Sequence, residues 1–553
     1  MSASARLVFL GGLGEIGRNC CCLEVDGRIL VIDCGLMFPT DDMPGVDLVL
    51  PDFTFLRDHA DAVDGIVVTH GHEDHVGGLA YLLRDVSAPI YGSRLALGLA
   101  RNRIDEAGLL DRTELIPVAD GETRRIGAVD CEFIPVAHSV PHSVAVAYST
   151  PAGTILHTGD FKLDLTPVDG RRTDLARLGE LGRAGVRLLL SDSTNAERAG
   201  FTASESSVGP VMRNLFRDHP TRRFIVASFA SHLHRVQQVA AEAIAAGRRV
   251  AFLGRSMTQN VTLGREMGVL ALPTDAIIDA DEVARFAPGE VCVICTGSQG
   301  EPMSALSLMA SHEHKLLKVS SDDVVVLSAH AIPGNEASVH RVIDGLHRAG
   351  ALVVHEGTAP VHVSGHASRE ELKFVLGLVQ PDWFIPVHGE YRHLVHHAGL
   401  GIEMGLAAEH VIVCEDGDAV ALDAGGLEVE RRAVPAGYEY VDGIVGDIGH
   451  GVLRDRRSLA AEGFVVVIVT VDAVSGELVT GPEIVTRGWI YEAEAAELLE
   501  DARGAVRDAI RDATADGTVD FEALRRAARR ALARLINERT RRRPAVLPVV
   551  MEV

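Results

Sequence analysis

The segment VVTHGHEDHVGG at residues 67–78 constrains the chain more than any other, because it sets three histidines and two acids within six residues, directly after an apolar run. The density is itself the signal. Imidazole and carboxylate are borderline ligands that suit Zn and Mn, and His70 and His72, two apart in an extended loop, can both face one ion. Asp74 and His75 fall on the next turn and face a neighbouring ion. A polar helix cap with surface histidines accounts for one or two of these residues, not for five.

The surrounding pattern is that of an α/β protein. Strands are predicted at 6–10, 20–25, 29–33 and 63–69, and the short apolar runs 155–158 and 186–190 are each closely followed by a carboxylate, Asp160 and Asp192. Ligands on loops at strand ends are where such folds keep their chemistry. Gly12, Gly14 and Gly17 satisfy GxGxxG, but a dinucleotide fingerprint opens a helix, and here the next element is another strand. A tight turn bordering the site is the better reading.

After Asn195 the pattern changes. A strand at 224–228, a helix at 234–246, a strand at 250–253, a long helical stretch and a strand at 291–296 make a separate α/β unit. The run 383–387 then restores the strand-then-histidine pattern, which implies an insertion. From about 441 the chain carries an apolar strand at 464–469 and two helical stretches ending near 540. The expected domains are 1–195 and 355–440 as two parts of one, 196–354 as the insertion, and 441–553 at the C-terminus.

Composition narrows the function classes. A formal charge of −24 argues against a protein that coats nucleic acid non-specifically, although a bound cation can reverse the local sign at a small channel. The eight cysteines show no framework spacing and favour a reducing, cytoplasmic setting. Cys292 and Cys295 look like half a zinc site, but Val293 and Ile294 mark a buried strand, so they read as core. No apolar run approaches the roughly 20 residues of a membrane helix, so no membrane partner is expected. The arginine-rich stretch from Phe521, with Arg525, Arg526, Arg529, Arg530 and Arg534, reads as a solvated helix face, with RNA or subunit contact as the alternative.

HxHxDH at 70–75, His138 in VAHSVPHS and Asp160 in LHTGDFK together resemble the metallo-β-lactamase superfamily. The resemblance implies an αββα sandwich in which His70, His72 and His138 hold one metal, Asp74 and His75 the other, and Asp160 bridges them. Asp33 matches the superfamily's first acidic motif and would orient the histidine loop. His142 is a second candidate ligand, but the strand-end position of His138, 22 residues before Asp160, favours His138.

SDSTN at 191–195, HVSGHAS at 362–368 and PVHGEY at 386–391 resemble the A, B and C motifs of the β-CASP subgroup of nucleases, giving Asp192, His366 and His388. Within it the chain is most similar to the bacterial ribonuclease J family, through GGLGEIGRN, SFASHLHRVQQ, TGSQGEPMSAL and IPGNE besides those motifs, and through VDG, GDIG and VLRDR near the C-terminus. The resemblance implies a fold of αββα sandwich, inserted β-CASP α/β domain and small C-terminal α+β domain. It also implies two divalent ions per subunit, Zn favoured and Mn also fitting, with His388 completing the second ion's shell.

Asp74 would orient the attacking hydroxide, and His366 would stabilise the pentacoordinate phosphate or protonate the leaving oxygen. Ser231, His232, His362, Val363, Ser364, Gly365, His366 and Ala367 resemble the pocket that holds an RNA 5′ monophosphate. Expected from this are 5′ to 3′ exonuclease and endonuclease activity, roles in mRNA decay and rRNA maturation, a homodimer or homotetramer, and other RNA-decay proteins as partners. His142 and His232 stand where the family has Asp and Asn, which bears on substrate handling at His232. A small-molecule hydrolase of the same superfamily and a non-catalytic scaffold are the rival readings.

Overall fold

A computed structural model of the chain describes residues 4–40, 42–332, 334–443, 445–490, 495–515 and 520–553. It divides into two compact bodies, Met1–Phe38 with Leu48–Glu439, and Pro39–Asp47 with Tyr440–Val553.

The first body is built on two facing sheets. One has eight strands, in the order Gly426–Glu430, Ala419–Asp423, Ala5–Gly11, Cys20–Val25, Arg28–Ile32, Val63–Val67, Ile90–Gly92, Leu115–Pro117. The other has six, in the order Trp383–Val387, Leu188–Asp192, Gly153–His157, Val144–Thr150, Val129–Pro135, Thr123–Ile126. Phe9, Leu23, Ile32 and Val67 of the first meet Phe133, Val146, Ile155, Leu188 and Ile385 of the second in one core. The opposite face of the six-stranded sheet, through Ile134, Leu156 and Leu189, is covered by Leu178 and Leu181 of helix Leu175–Ala184 and by Leu372, Val375 and Leu376 of helix Arg369–Val379. Strands covered on both faces should read as unbroken apolar runs, and Leu188–Asp192 is buried throughout.

The insertion is visible in the strand pairing. Leu188–Asp192 and Trp383–Val387 lie side by side and parallel, Leu188 opposite Trp383 and Asp192 opposite Val387. Between them the chain makes a separate five-stranded parallel sheet, ordered Arg249–Leu253, Val291–Cys295, Arg223–Ala227, Asp323–Leu327, Leu352–Val354. Helices bury both its faces, Val236, Val239 and Met257 on one and Leu306, Met309 and Leu346 on the other. Cys292 and Cys295 are fully buried in its strand, and all eight cysteines are free and buried.

Two sequence expectations change. The long helical stretch before Val291 is a helix only over Arg255–Glu266; the segment beyond it, with Gly268 at positive φ, continues in short 3₁₀ turns. Residues 39–47 group with the C-terminal body rather than with 1–195, where Arg456 donates to the Gly45 carbonyl at 2.8 Å and Arg457 to the Asp42 carboxylate at 2.8 Å.

The C-terminal body is a three-stranded sheet under helices. Val465, Val467, Val469 and Val471 alternate inward from strand Phe464–Val471 onto Leu499, Val506, Leu524 and Ile536. A strand that the sequence reading omits, Ala545–Glu552, runs parallel to it along its whole length. No helix among the described residues is long and apolar enough to cross a membrane.

Candidate metal centre

The site lies at the ends of strands from both large sheets. Strands Arg28–Ile32 and Val63–Val67 are parallel neighbours with Ile32 opposite Val67, so Asp33 emerges beside Thr69 and the histidine loop. Its carboxylate accepts from Thr69 N and Oγ1 at 2.8 Å each and from His75 Nδ1 at 2.7 Å. The chain then turns helical at Glu73–Val76, which brings His75 back under His70, with ring centroids 4.1 Å apart.

Four imidazoles converge on one carboxylate oxygen. Asp160 Oδ2 lies 3.5 Å from His70 Nε2, 3.8 Å from His138 Nε2, 3.3 Å from His75 Nε2 and 3.4 Å from His388 Nε2. His72 Nδ1 stands 3.0 Å from His70 Nε2 and 3.2 Å from His138 Nε2, and Asp74 Oδ2 stands 3.6 Å from His75 Nε2. The donors fall into groups whose atoms lie within 4.8 Å of one another: His70, His72, His138 and Asp160; Asp74, His75, Asp160 and His388; and a third, Asp160, Asp192, His366 and His388. Asp160 Oδ2 is buried without a hydrogen-bond partner, at the meeting point of all three. A buried acceptor left unpaired among nitrogen lone pairs is costly, and divalent cations shared between these groups would satisfy it. The donor set therefore fits divalent metal.

Most of the rings are aimed from behind. His75 Nδ1 donates to Asp33, His138 Nδ1 to the Gly365 carbonyl at 2.8 Å, His388 Nδ1 to Asn19 Oδ1 at 2.9 Å, and His366 Nδ1 to Asp192 Oδ2 at 2.8 Å. Each bond consumes the outer nitrogen and leaves Nε2 for the centre, the arrangement that raises the basicity of a ligand histidine. Gly365 must be glycine for this: a Cβ there would lie 2.7 Å from His138 Cε1.

Electrostatics follow from burial and neighbours. Burial, with the adjacent histidines, holds His70 and His138 well below the ordinary imidazole range, and His72 falls to about 4. Burial opposes charge on His75 and His366 too, but Asp160, Asp74 and Asp33 outweigh it at the first, raising it well above the ordinary range, and Asp192 raises the second to about 9. Asp160, despite its burial, is kept well below the usual carboxylate range by His388, His75 and His70.

Of the two candidates for the lone histidine, His138 joins the cluster. His142 is in none of the donor groups and lines a cavity behind His138 with His234, Asp169 and Arg171. The glycine turn does border the centre: Leu13–Gly14 pairs with Gly389–Glu390, directly after His388, and Gly11, Gly12 and Asn19 line a cavity with Asp33, His75 and His388. Ser364 and His366 are half-buried at the centre's edge, and Asn195 Nδ2 donates to Ser364 Oγ at 2.8 Å. His362 and Ser231 are also half-buried, whereas Val363, Gly365 and Ala367 are buried and offer mainly backbone. His232, expected among RNA contacts, has a side chain turned inward: it is 2% exposed, with Nε2 3.4 Å from Glu205. The helix that starts at Leu233 presents it to the interior.

Sequence reasoning missed Asn19 and Thr69. Asn19 also donates to the Asp74 carbonyl at 3.0 Å, so one amide ties the histidine loop to His388, 369 residues away. Only its place in GGLGEIGRN, beside the glycine turn, hinted at it.

Comparison with known proteins decides the family. Residues 13–195 match the metallo-beta-lactamase superfamily, 221–346 the ribonuclease J beta-CASP domain, 353–414 the Zn-dependent metallo-hydrolase RNA specificity domain and 451–553 the ribonuclease J C-terminal domain. The chain is 39% identical to ribonuclease J2 of Bacillus subtilis over all of its own length and 99% of that protein's. It is 42% identical to ribonuclease J of Mycolicibacterium smegmatis, covering 99% of this chain and 97% of the other. The chain belongs to the ribonuclease J family. A crystal structure of a protein of unknown function from Enterococcus faecalis V583 shares the fold at a TM-score of 0.53 and 16% identity, covering 76% of this chain and 100% of that one. As a member of the ribonuclease J family the protein is a metal-dependent nuclease that hydrolyses phosphodiester bonds, with RNA as its substrate.

Proposed function

We propose that the protein degrades RNA 5′ to 3′ from monophosphorylated ends and also cuts internally, serving mRNA decay and RNA maturation. His70, His72 and His138 would hold one ion and Asp74, His75 and His388 the other, with Asp160 shared between the two groups and Zn favoured over Mn by the imidazole-rich set. The observation that carries the reading is the pair of donor groups sharing Asp160 directly beside the 362–367 loop, whose Gly365 carbonyl holds His138. When bound, the ions supply Lewis acidity for phosphodiester hydrolysis at neutral pH.

The chain's own groups supply the rest. Asp74, half-exposed at the edge of the cluster, accepts a hydrogen bond from the attacking water and orients it. Asp192 fixes His366 through Nδ1 and favours its charged form, so that His366 Nε2 donates to the phosphate or protonates the leaving oxygen. Ser231, Ser364 and His362, with backbone at Val363, Gly365 and Ala367, receive the terminal phosphate. A phosphate fixed there makes the enzyme count from the 5′ end.

The test is digestion of one RNA carrying a 5′ monophosphate, triphosphate or hydroxyl, with product sizes resolved and bound metal measured. Mononucleotides released mainly from the monophosphate form are expected. Identical internal cuts from all three would rule out the end-anchored mode.

A further inference from the structure

The entry into the 362–367 loop is held by a charge that the mechanism above does not use. Arg235, on helix Leu233–Ala245, is fully buried. Its Nε and Nη2 donate to the two carboxylate oxygens of Glu205 at 2.6 and 2.9 Å. Nη1 donates to Ser328 O at 2.9 Å, Ser328 Oγ at 2.7 Å and Val361 O at 3.3 Å, and lies 3.3 Å from His362 Nδ1. Nη2 reaches Val363 O at 3.5 Å. Ser328 Oγ in turn donates to Val361 O at 2.6 Å.

Glu205 is itself immobilised. Its backbone N–H donates to Asp164 at 2.8 Å, and Gln238 Nε2 donates to its carbonyl at 3.0 Å. Desolvating such an ion pair offsets most or all of the attraction it regains, and apolar side chains of the same volume fill such space at least as well. What apolar side chains lack is the directed fork of donors that Arg235 extends to the carbonyls at 361 and 363. Two residues further on, the Gly365 carbonyl holds His138, and His366 follows against Asp192.

We propose that Arg235, anchored by Glu205, is a positioning residue for the 362–367 loop, fixing its entry so that Gly365 aims His138 and His366 meets Asp192. It touches neither the metal ligands nor the reacting phosphate. The inference rests on reading that loop as part of the RNA-cleaving site, and adds what sets the loop's geometry.

The variant Arg235→Met with Glu205→Leu removes both charges together and leaves none buried alone, and Arg235→Lys keeps the charge without the fork. In the double variant, amide hydrogen exchange over 359–368 is expected to quicken at least tenfold while strand Val63–Val67 is unchanged. On 5′-monophosphate RNA, kcat should fall at least tenfold and KM should rise as well, because the loosened 361–363 backbone also borders the phosphate pocket. Arg235→Lys should show the same pattern more weakly, and serves alone if the double variant does not fold. Unchanged exchange over 359–368, or wild-type kcat in the folded variants, overturns the proposal. Failure of the wild-type protein to cleave RNA would instead sink the functional reading and leave the exchange result standing.

Discussion

At the scale of single residues, the centre is made by what stands behind each histidine. Removing a buried acceptor that orients a ligand ring typically weakens metal binding about 10–100-fold. Asp33→Ala should do so for the ion held by His75, read by competition with a chelator. His75→Ala should lower bound metal from two ions per chain toward one and cut RNA degradation more than about 100-fold; unchanged metal content would exclude His75 as a ligand. A pH effect belongs to His397, whose ring is fully buried against Phe384 and bonded to Ser193 Oγ at 3.0 Å. Burial lowers it to about 3. The unfolded chain therefore takes up a proton below about pH 6.5 that the folded chain refuses until about pH 3, so stability declines across that window as pH falls. His397→Asn should flatten the slope of stability against pH there by about 1.4 kcal/mol per unit, measured by urea unfolding. The contiguous ligands were legible because they sit in one segment, and Asp33 through its motif; Asn19 and Arg235 act across tens to hundreds of residues, and no spacing announces that.

At the scale of elements, buried strands were legible where both faces are covered, since Leu188–Leu190 and Val291–Cys295 are unbroken apolar runs. Strand Ala545–Glu552 was not, because it contains Pro548 and alternates half-exposed residues, the pattern of an edge strand that spares one hydrogen-bonding side. Its inward residues Val546 and Val550 still join the core. Val550→Asp should destabilise the C-terminal body by about 2–4 kcal/mol, through lost apolar burial and a desolvated charge, seen as a lower first transition in calorimetry. An unaltered melt would mean that the strand contributes little. The 267–290 segment reads as helical, but Gly268 at positive φ, Pro273 and Pro288 break helix, and the segment makes short 3₁₀ turns instead.

At the scale of the whole molecule, the dimer or tetramer expected from the sequence has a physical candidate in the C-terminal sheet, whose outer face leaves Leu547 52%, Val549 40% and Met551 46% exposed. Light scattering should give a multiple of the 59.1 kDa chain, reduced to the monomer mass by Leu547→Glu with Val549→Glu. A monomeric wild-type chain would remove that proposal. The sequence by itself determined the family and the clustered donor types at the candidate centre, because each motif is a short segment whose residue types a metal site would dictate. Only the tertiary structure decided that His232 turns inward to Glu205 and that Arg235 grips the 361–363 backbone, while the spacing already favoured His138 over His142. The reason is physical: a metal selects donor types that can be read locally, whereas the direction of a side chain and the partner behind it are set by packing between strands and helices far apart along the chain.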